Sequence, residues 1–172
     1  MKNSNSIIIM GSSRSSGETR NMAEELAALT GSTIIDLREK NISYFDYDHK
    51  NLDDDFFSTM EEVLQYDNIV FATPVYWFSM SAIMKTFFDR FSDLLHQRKD
   101  LGYQMKEKNM FLLTNSSTAL LTRHFETPFE DTAKYLSMEY KGYVHGYFKD
   151  GELPVEVKDE IKEFATKIVN GG

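Results

Sequence analysis

Three short stretches of this chain carry residue types suited to holding a small molecule. Gly11-Ser12-Ser13-Arg14-Ser15-Ser16-Gly17-Glu18-Thr19 gathers hydroxyls, glycines and an arginine; Thr73-Pro74-Val75-Tyr76-Trp77-Phe78-Ser79-Met80-Ser81-Ala82 sets three aromatic residues behind a proline; and Asn115-Ser116-Ser117-Thr118 is a third small polar loop. The first stretch follows the apolar run Ile7–Met10 and precedes a segment with Met22, Leu26 and Leu29 at the spacing of one helix face. That pattern is strand, loop, helix N-terminus. Such a helix start exposes unpaired N–H groups and a partial positive charge. Serine and threonine hydroxyls add donors, glycine lets the backbone approach closely, and Arg14 supplies a full charge. The loop reads as an anion cradle, with a serine-rich turn that merely caps the helix as the plainer reading.

What the loop lacks narrows the anion. A nucleotide P-loop needs G-x-x-x-x-G-K-[ST], but five residues separate Gly11 from Gly17, and Glu18 stands where the lysine belongs. The dinucleotide fingerprint G-x-G-x-x-G fails as well, because Ser12 and Ser13 follow Gly11. With no cysteine in the chain, a phosphatase loop, a disulfide, a thiolate zinc site and an iron–sulfur cluster are all excluded. The four histidines, His49, His96, His124 and His145, show no ligand spacing, so no metal site is expected. A monophosphate held by hydroxyls, amides and one arginine remains.

At 172 residues the chain is expected to form a single domain spanning 1–172. A net charge of −8 argues against nucleic acid or an anionic membrane as partner. The apolar run after Lys2 is too short for a signal peptide, and no stretch reaches membrane-spanning length, so a soluble, cytoplasmic protein is expected.

The elements that position these loops follow in order. Gly31 ends the first helix, and Ser32–Leu37 reads as a second strand. Arg38–Asn51 reads as a loop across the end of the sheet, its aromatic residues Tyr44, Phe45 and Tyr47 suited equally to a pocket border or to plain packing. Asp53-Asp54-Asp55 reads as a helix N-terminus rather than a metal site, with Asp67-Asn68 closing that helix. Ile69–Thr73 is a third, fully buried strand. Pro74 stiffens the chain beyond it, and Ser79 or Ser81 caps a helix carrying Ile83, Phe87, Phe91 and Leu94 or Leu95. The aromatic residues between form a rim suited to a flat apolar ring, whose polar edge main-chain groups would read; Phe78 is expected instead in the core or a dimer contact. Lys85 and Asp89 should pair on the helix surface. Met110–Thr114 is a fourth strand. Thr127 as cap and Pro128 as first residue start another helix, leaving 119–127 as a short helix or lid whose Arg123 and His124 could face a substrate, solvent being the plainer reading. Glu139–Tyr147 alternates as a fifth strand, and an amphipathic helix with Val157, Ile161, Phe164 and Ile168 closes the chain.

Alternating strands and helices imply a three-layer α/β sandwich around a parallel sheet, and the doubly wound flavodoxin-like order 2-1-3-4-5 puts the switch point between strands 1 and 3. The phosphate loop follows strand 1 and the aromatic rim follows strand 3. Their convergence joins a monophosphate to a flat heterocycle, which describes FMN.

On the loops Gly11–Thr19 and Thr73–Ala82, continuing through Lys85 and Asp89-Arg90, the sequence resembles the NAD(P)H-dependent FMN reductases and the quinone or azo reductases of flavodoxin-like fold. The resemblance implies that Ser12, Arg14, Ser16, Gly17, Glu18 and Thr19 surround the FMN phosphate, that Pro74, Val75, Tyr76 and Trp77 line the isoalloxazine, and that Asn115 and Ser116 lie near its other edge. Glu18 stands where such loops often carry asparagine, so its side chain is expected to turn outward, leaving only its N–H to the phosphate. The implied chemistry is ping-pong, with NADPH or NADH as donor and a small-molecule acceptor such as a quinone, flavin, azo or nitro compound. Because the flavin carries the reaction, no catalytic side chain is assigned. A homodimer is common in the family. A flavodoxin-type electron carrier, or a flavodoxin-like interaction protein without cofactor, are the alternatives; the Tyr76-Trp77 rim is unlike the former, and only Glu18 favours the latter.

Overall fold

The computed structural model describes residues 6–170. Strand β1 (Ser6–Met10) leads into helix α1 (Glu18–Thr30), followed by β2 (Thr33–Asp36), a 3-10 turn (Leu37–Glu39) and α2 (Phe56–Val63). Then come β3 (Asn68–Pro74), α3 (Ala82–Asp89), α4 (Phe91–His96) and the single turn α5 (Lys99–Gly102) with a 3-10 extension to Met105. The chain finishes with β4 (Asn109–Asn115), α6 (Thr127–Tyr135), β5 (Glu139–Gly146) and α7 (Val155–Asn170). All neighbouring strands are parallel, in the order β2-β1-β3-β4-β5. This is the expected doubly wound sheet, with all loops that follow β1, β3 and β4 at one end of it.

The three inner strands are buried on both faces, and their alternation feeds two cores. Ile7, Ile9, Ile69, Phe71, Met110 and Leu112 pack toward the layer containing α2, α3, α4 and α6. Ile8, Met10, Val70, Ala72, Phe111 and Leu113 pack toward α1 and α7. At the end of β1, a Cβ on Gly11 would lie 2.9 Å from the Met84 Cβ of α3. No larger residue fits there, which ties the start of the phosphate loop to the start of the helix beyond the rim. The outer strand β5 carries a register irregularity between Met110 and Leu112 of its partner, with Gly142 at φ 95°.

Several local expectations are corrected. Leu29 does not complete the buried face of α1; it is 43% exposed, because the buried face runs through Thr19, Met22, Ala23, Leu26 and Thr30 and leaves Leu29 at its edge. Asn68 opens β3 instead of ending the preceding helix, which stops at Val63. The helix beyond the rim divides at Arg90, whose side chain turns into the protein between α3 and α4. Helix α6 begins at Thr127 with no side-chain cap, so Thr127 is a first-turn residue and the anticipated cap does not form. Residues 119–126 form turns without a helix, anchored by buried Phe125, with Arg123 and His124 exposed. The expected Lys85–Asp89 surface pair is formed.

Candidate functional site

The loop after β1 reaches α1 with its donors unspent. The first helical bond runs from the Asn21 N–H to the Gly17 carbonyl at 2.9 Å, and no side chain caps the helix. The amides of Glu18, Thr19 and Arg20 therefore have no helical acceptor, which is the arrangement that favours an anion. Ser12 is buried at the base of the loop, and among the described residues its hydroxyl accepts only from the Arg14 N–H, at 3.4 Å. Arg14 has no carboxylate partner among the described residues.

On the opposite wall, Thr73 and Thr114 knit β3 to β4 at their C-terminal ends: the Thr114 hydroxyl donates to the Thr73 carbonyl at 2.7 Å, and the Val75 N–H donates to the Asn115 carbonyl at 2.8 Å. Ser81, not Ser79, caps α3. Its hydroxyl accepts from the Met84 N–H at 3.1 Å and donates to the Gly11 carbonyl at 2.7 Å. One serine thus joins the phosphate loop to the rim. A second link is the 2.6 Å bond between the Ser13 and Tyr76 hydroxyls.

The rim itself is a two-residue hairpin. Tyr76 and Ser79 exchange main-chain bonds of 2.9 and 3.1 Å, and the central pair, Trp77 and Phe78, both adopt positive φ (48° and 65°). That geometry normally takes Asn-Gly, and two bulky side chains in it are strained. They are also presented to solvent, Trp77 being 94% and Phe78 70% exposed. Phe78 is therefore not a core residue.

Between these walls lies a crevice of about 210 Å³ lined by Ser12, Arg14, Gly17, Glu18, Thr19, Pro74, Val75, Tyr76, Asn115, Ser116 and Ser117. Of the residues expected around a flavin, it brings together all but Ser16, which is exposed on the loop, and Trp77. Trp77 borders an adjoining cleft of about 270 Å³ that shares Val75, Ser116 and Ser117 with the crevice and continues to Phe78, Leu120 and Leu121. Deep in the crevice the Thr19 hydroxyl donates to Asn115 Oδ1 at 2.7 Å, and Asn115 Nδ2 donates to Glu18 Oε2 at 3.2 Å. The outward turn expected of Glu18 is not seen. Its carboxylate lies along the crevice because Asn115 offers it a donor. The polar edge is also more selective than expected, since the amides of Val75, Tyr76 and Ser116 are committed to Asn115, Ser79 and Gly146. Those of Trp77, Phe78 and Ser117 have no partner among the described residues.

Sequence reasoning missed two participants and one buried group outside the crevice. Ser13 is the hinge between loop and rim, one hydroxyl among several in its stretch. His145 on β5 reaches Ser116, with Nε2 and Oγ 2.9 Å apart, and burial pushes its pKa below the ordinary histidine value. Arg90 is the group outside the crevice. Fully buried, it donates to Asp93 through Nε and to Asp54 through Nη1, both at 2.5 Å, and to the Ser43 and Asn51 carbonyls at 3.1 and 2.9 Å. Burial pulls its pKa down, but the bonds to Asp54 and Asp93 more than reverse that and hold it above the ordinary arginine value. Its signal was an arginine set among Phe87, Phe88 and Phe91 on an apolar helix. Asp54 also accepts the Phe56 N–H at 3.0 Å, so the acidic run starts α2 as expected and, in addition, neutralises Arg90.

The donor set fits a phosphate ester attached to a flat ring: amides, hydroxyls and an unpaired arginine at one end, and an aliphatic and aromatic wall at the other. Comparisons with known proteins agree. The family described as NADPH-dependent FMN reductase matches residues 5–118. A Bacillus subtilis protein named as an NAD(P)H-dependent FMN-containing oxidoreductase, YwqN, is 28% identical over 160 residues, covering 87% of each chain. The structure named as the Trp repressor binding protein from Bacillus subtilis superposes with a TM-score of 0.71 at 26% identity, covering 95% of this chain and 98% of that one. An FMN-dependent NADH-azoreductase from Bacillus anthracis, solved with FMN, shares the fold with a TM-score of 0.70 at 13% identity, covering 96% and 99%. The chain belongs to the NADPH-dependent FMN reductase family, and is an NAD(P)H-dependent, FMN-containing oxidoreductase of flavodoxin-like fold.

Proposed function

We propose that residues 1–172 act as one FMN-binding domain, a cytoplasmic homodimer that passes reducing equivalents from NAD(P)H to a small acceptor of the quinone, flavin, azo or nitro class. The observation that carries this reading is the single crevice in which the loops after β1, β3 and β4 meet. FMN held there would supply the redox chemistry, accepting hydride from a nicotinamide donor and passing electrons to the acceptor. The chain's own groups bind and orient. The first-turn amides of α1, with Ser12, Thr19 and Arg14, hold the phosphate, Ser16 reaching it only if its exposed part of the loop folds inward; Gly17 keeps the loop low. Pro74, Val75 and Tyr76 wall the ring on one side and Asn115 and Ser116 on the other, with Trp77 at its outer border. No side chain is assigned a proton or a nucleophile.

The test is an anaerobic absorbance spectrum of the protein loaded with FMN, before and after NADPH. Flavin bands that bleach promptly, and return when a quinone is added, support the reading. Bands that persist would indicate an electron carrier, and an absence of FMN binding would remove the cofactor role from this crevice.

A further inference from the structure

Beside the crevice lies a second cavity, of about 530 Å³, that no part of the flavin site uses. Its volume is in the ~300–1,000 Å³ range of small-molecule sites. It is bordered by the turn and loop after β2 and by one face of α3, with Ile42, Ile83 and Phe87 as its apolar floor and the exposed ring of Tyr44 at its lip. The charge of its wall is unlike that of the molecule. In a chain of net charge −8, its lining holds two cations, Arg38 and Lys40, and no acid; Glu39 between them is not part of it. Neither cation has a carboxylate partner among the described residues. Acids that could have quenched them hold the loop instead: Asp36 accepts the Arg38 N–H at 3.0 Å and Asp55 the Asn41 N–H at 2.7 Å. Arg38 Nη1 donates to the Ser13 carbonyl at 2.6 Å, and the Ser13 hydroxyl bonds the Tyr76 hydroxyl at 2.6 Å, so Ser13 joins a lining residue of the cavity to a lining residue of the crevice.

A site that combines an apolar floor, an exposed ring and two unquenched cations is suited to a phosphorylated heterocycle. Its position next to the flavin crevice selects one. We propose that this cavity receives the adenosine end of the dinucleotide donor, with Arg38 and Lys40 on the 2′-phosphate that distinguishes NADPH from NADH. The inference rests on the proposed reading, in which the nicotinamide enters the adjoining crevice. Arg38 and Lys40 are here specificity-determining residues: they act on the choice of donor, at a distance from the reacting atoms.

The test uses FMN-saturated protein and two probes, 2′,5′-ADP and 5′-AMP, followed by calorimetry, beside steady-state oxidation of NADPH and NADH. The wild-type chain should bind 2′,5′-ADP in preference to 5′-AMP. Lys40→Ser should weaken 2′,5′-ADP and raise the KM for NADPH by roughly tenfold, and Arg38→Ser with Lys40→Ser by more, as expected for lost charge-assisted phosphate bonds. NADH kinetics should change less than about twofold, since uniform loss of a phosphate contact does not touch a donor lacking it. Lys40→Ser alone decides the matter if Arg38→Ser, through Ser13, lowers FMN affinity. Equal binding of the two probes by the wild type, or a preference retained in the variants, overturns the inference. Should neither donor be oxidised, the functional reading fails, while the probe comparison still decides whether the cavity prefers a 2′-phosphate.

Discussion

Glu18 is the residue at which the site departs from simple complementarity. A carboxylate at the N-terminus of α1 is favoured by the helix and, in the absence of phosphate, by the bond from Asn115. With a phosphate in the cradle the same carboxylate faces a like charge, and two charges near 4 Å apart repel by about 1 kcal/mol even in water. Glu18→Gln keeps an acceptor for Asn115 and removes the charge. FMN affinity, measured by quenching of flavin fluorescence on titration, should tighten by about three- to tenfold. Unchanged affinity would mean that the side chain swings clear when phosphate binds, as its residue type first suggested. The sequence exposed the conflict, but not its resolution, because Asn115 lies on β4, far along the chain, and only the fold brings it to Glu18.

Among the elements, the turn that carries Trp77 and Phe78 is the one whose conformation works against its own residues. Its two central positions need the left-handed region, which costs bulky residues about 1–3 kcal/mol each. Such strain persists where surroundings impose it, and here Pro74, the bond from Val75 to Asn115 and the cap at Ser81 fix both ends. Replacing Trp77 with Asn and Phe78 with Gly should therefore raise stability to urea by roughly 1–3 kcal/mol. The same double variant should alter acceptor kinetics more than FMN affinity; unaltered turnover with every acceptor would take the turn out of the site. The aromatic triplet after a strand and a proline was legible as a rim, because proline and capping serine are local signals. The sign of φ was not, since nothing in Trp-Phe announces a turn usually made by Asn-Gly. Strands β1, β3 and β4 were legible for the opposite reason, being buried on both faces and hence apolar without interruption.

For the whole molecule, the buried Arg90 couples segments that are distant in sequence: the 43–51 loop through the Ser43 and Asn51 carbonyls, the start of α2 through Asp54, and α4 through Asp93, which also bonds His49 of that loop. The guanidinium also lies over the Phe56 ring, 4.8 Å from its centroid. Removing one partner of a buried pair leaves the others uncompensated, so Arg90→Ala should lower stability by about 3–5 kcal/mol in urea unfolding. Limited proteolysis should then cut the 43–51 loop first; a loop as resistant as before would show that it is held by other contacts. The sequence marked Arg90 only as a cation on an apolar helix, and its partners stayed hidden because each is ordinary alone: a helix-start acid (Asp54), a helix acid (Asp93) and two main-chain carbonyls. The order of the sheet and the meeting of three loops were legible, since both follow from alternation of elements and the handedness of their crossovers.

The outermost strands have a consequence for assembly. A sheet can be extended by a second chain only where an edge offers a long, regular row of free main-chain groups. The β2 edge offers four residues, Thr33–Asp36, running directly into a 3-10 turn. At the other side, β5 is interrupted by its irregular register and by Gly142, and Lys141 stands beside it. Neither edge is a template for strand addition, a protection against fibre-like stacking. The proposed homodimer would then be held by helix faces and loops, so a cross-link engineered between surface helices should trap it, whereas one between paired β2 or β5 edges should not.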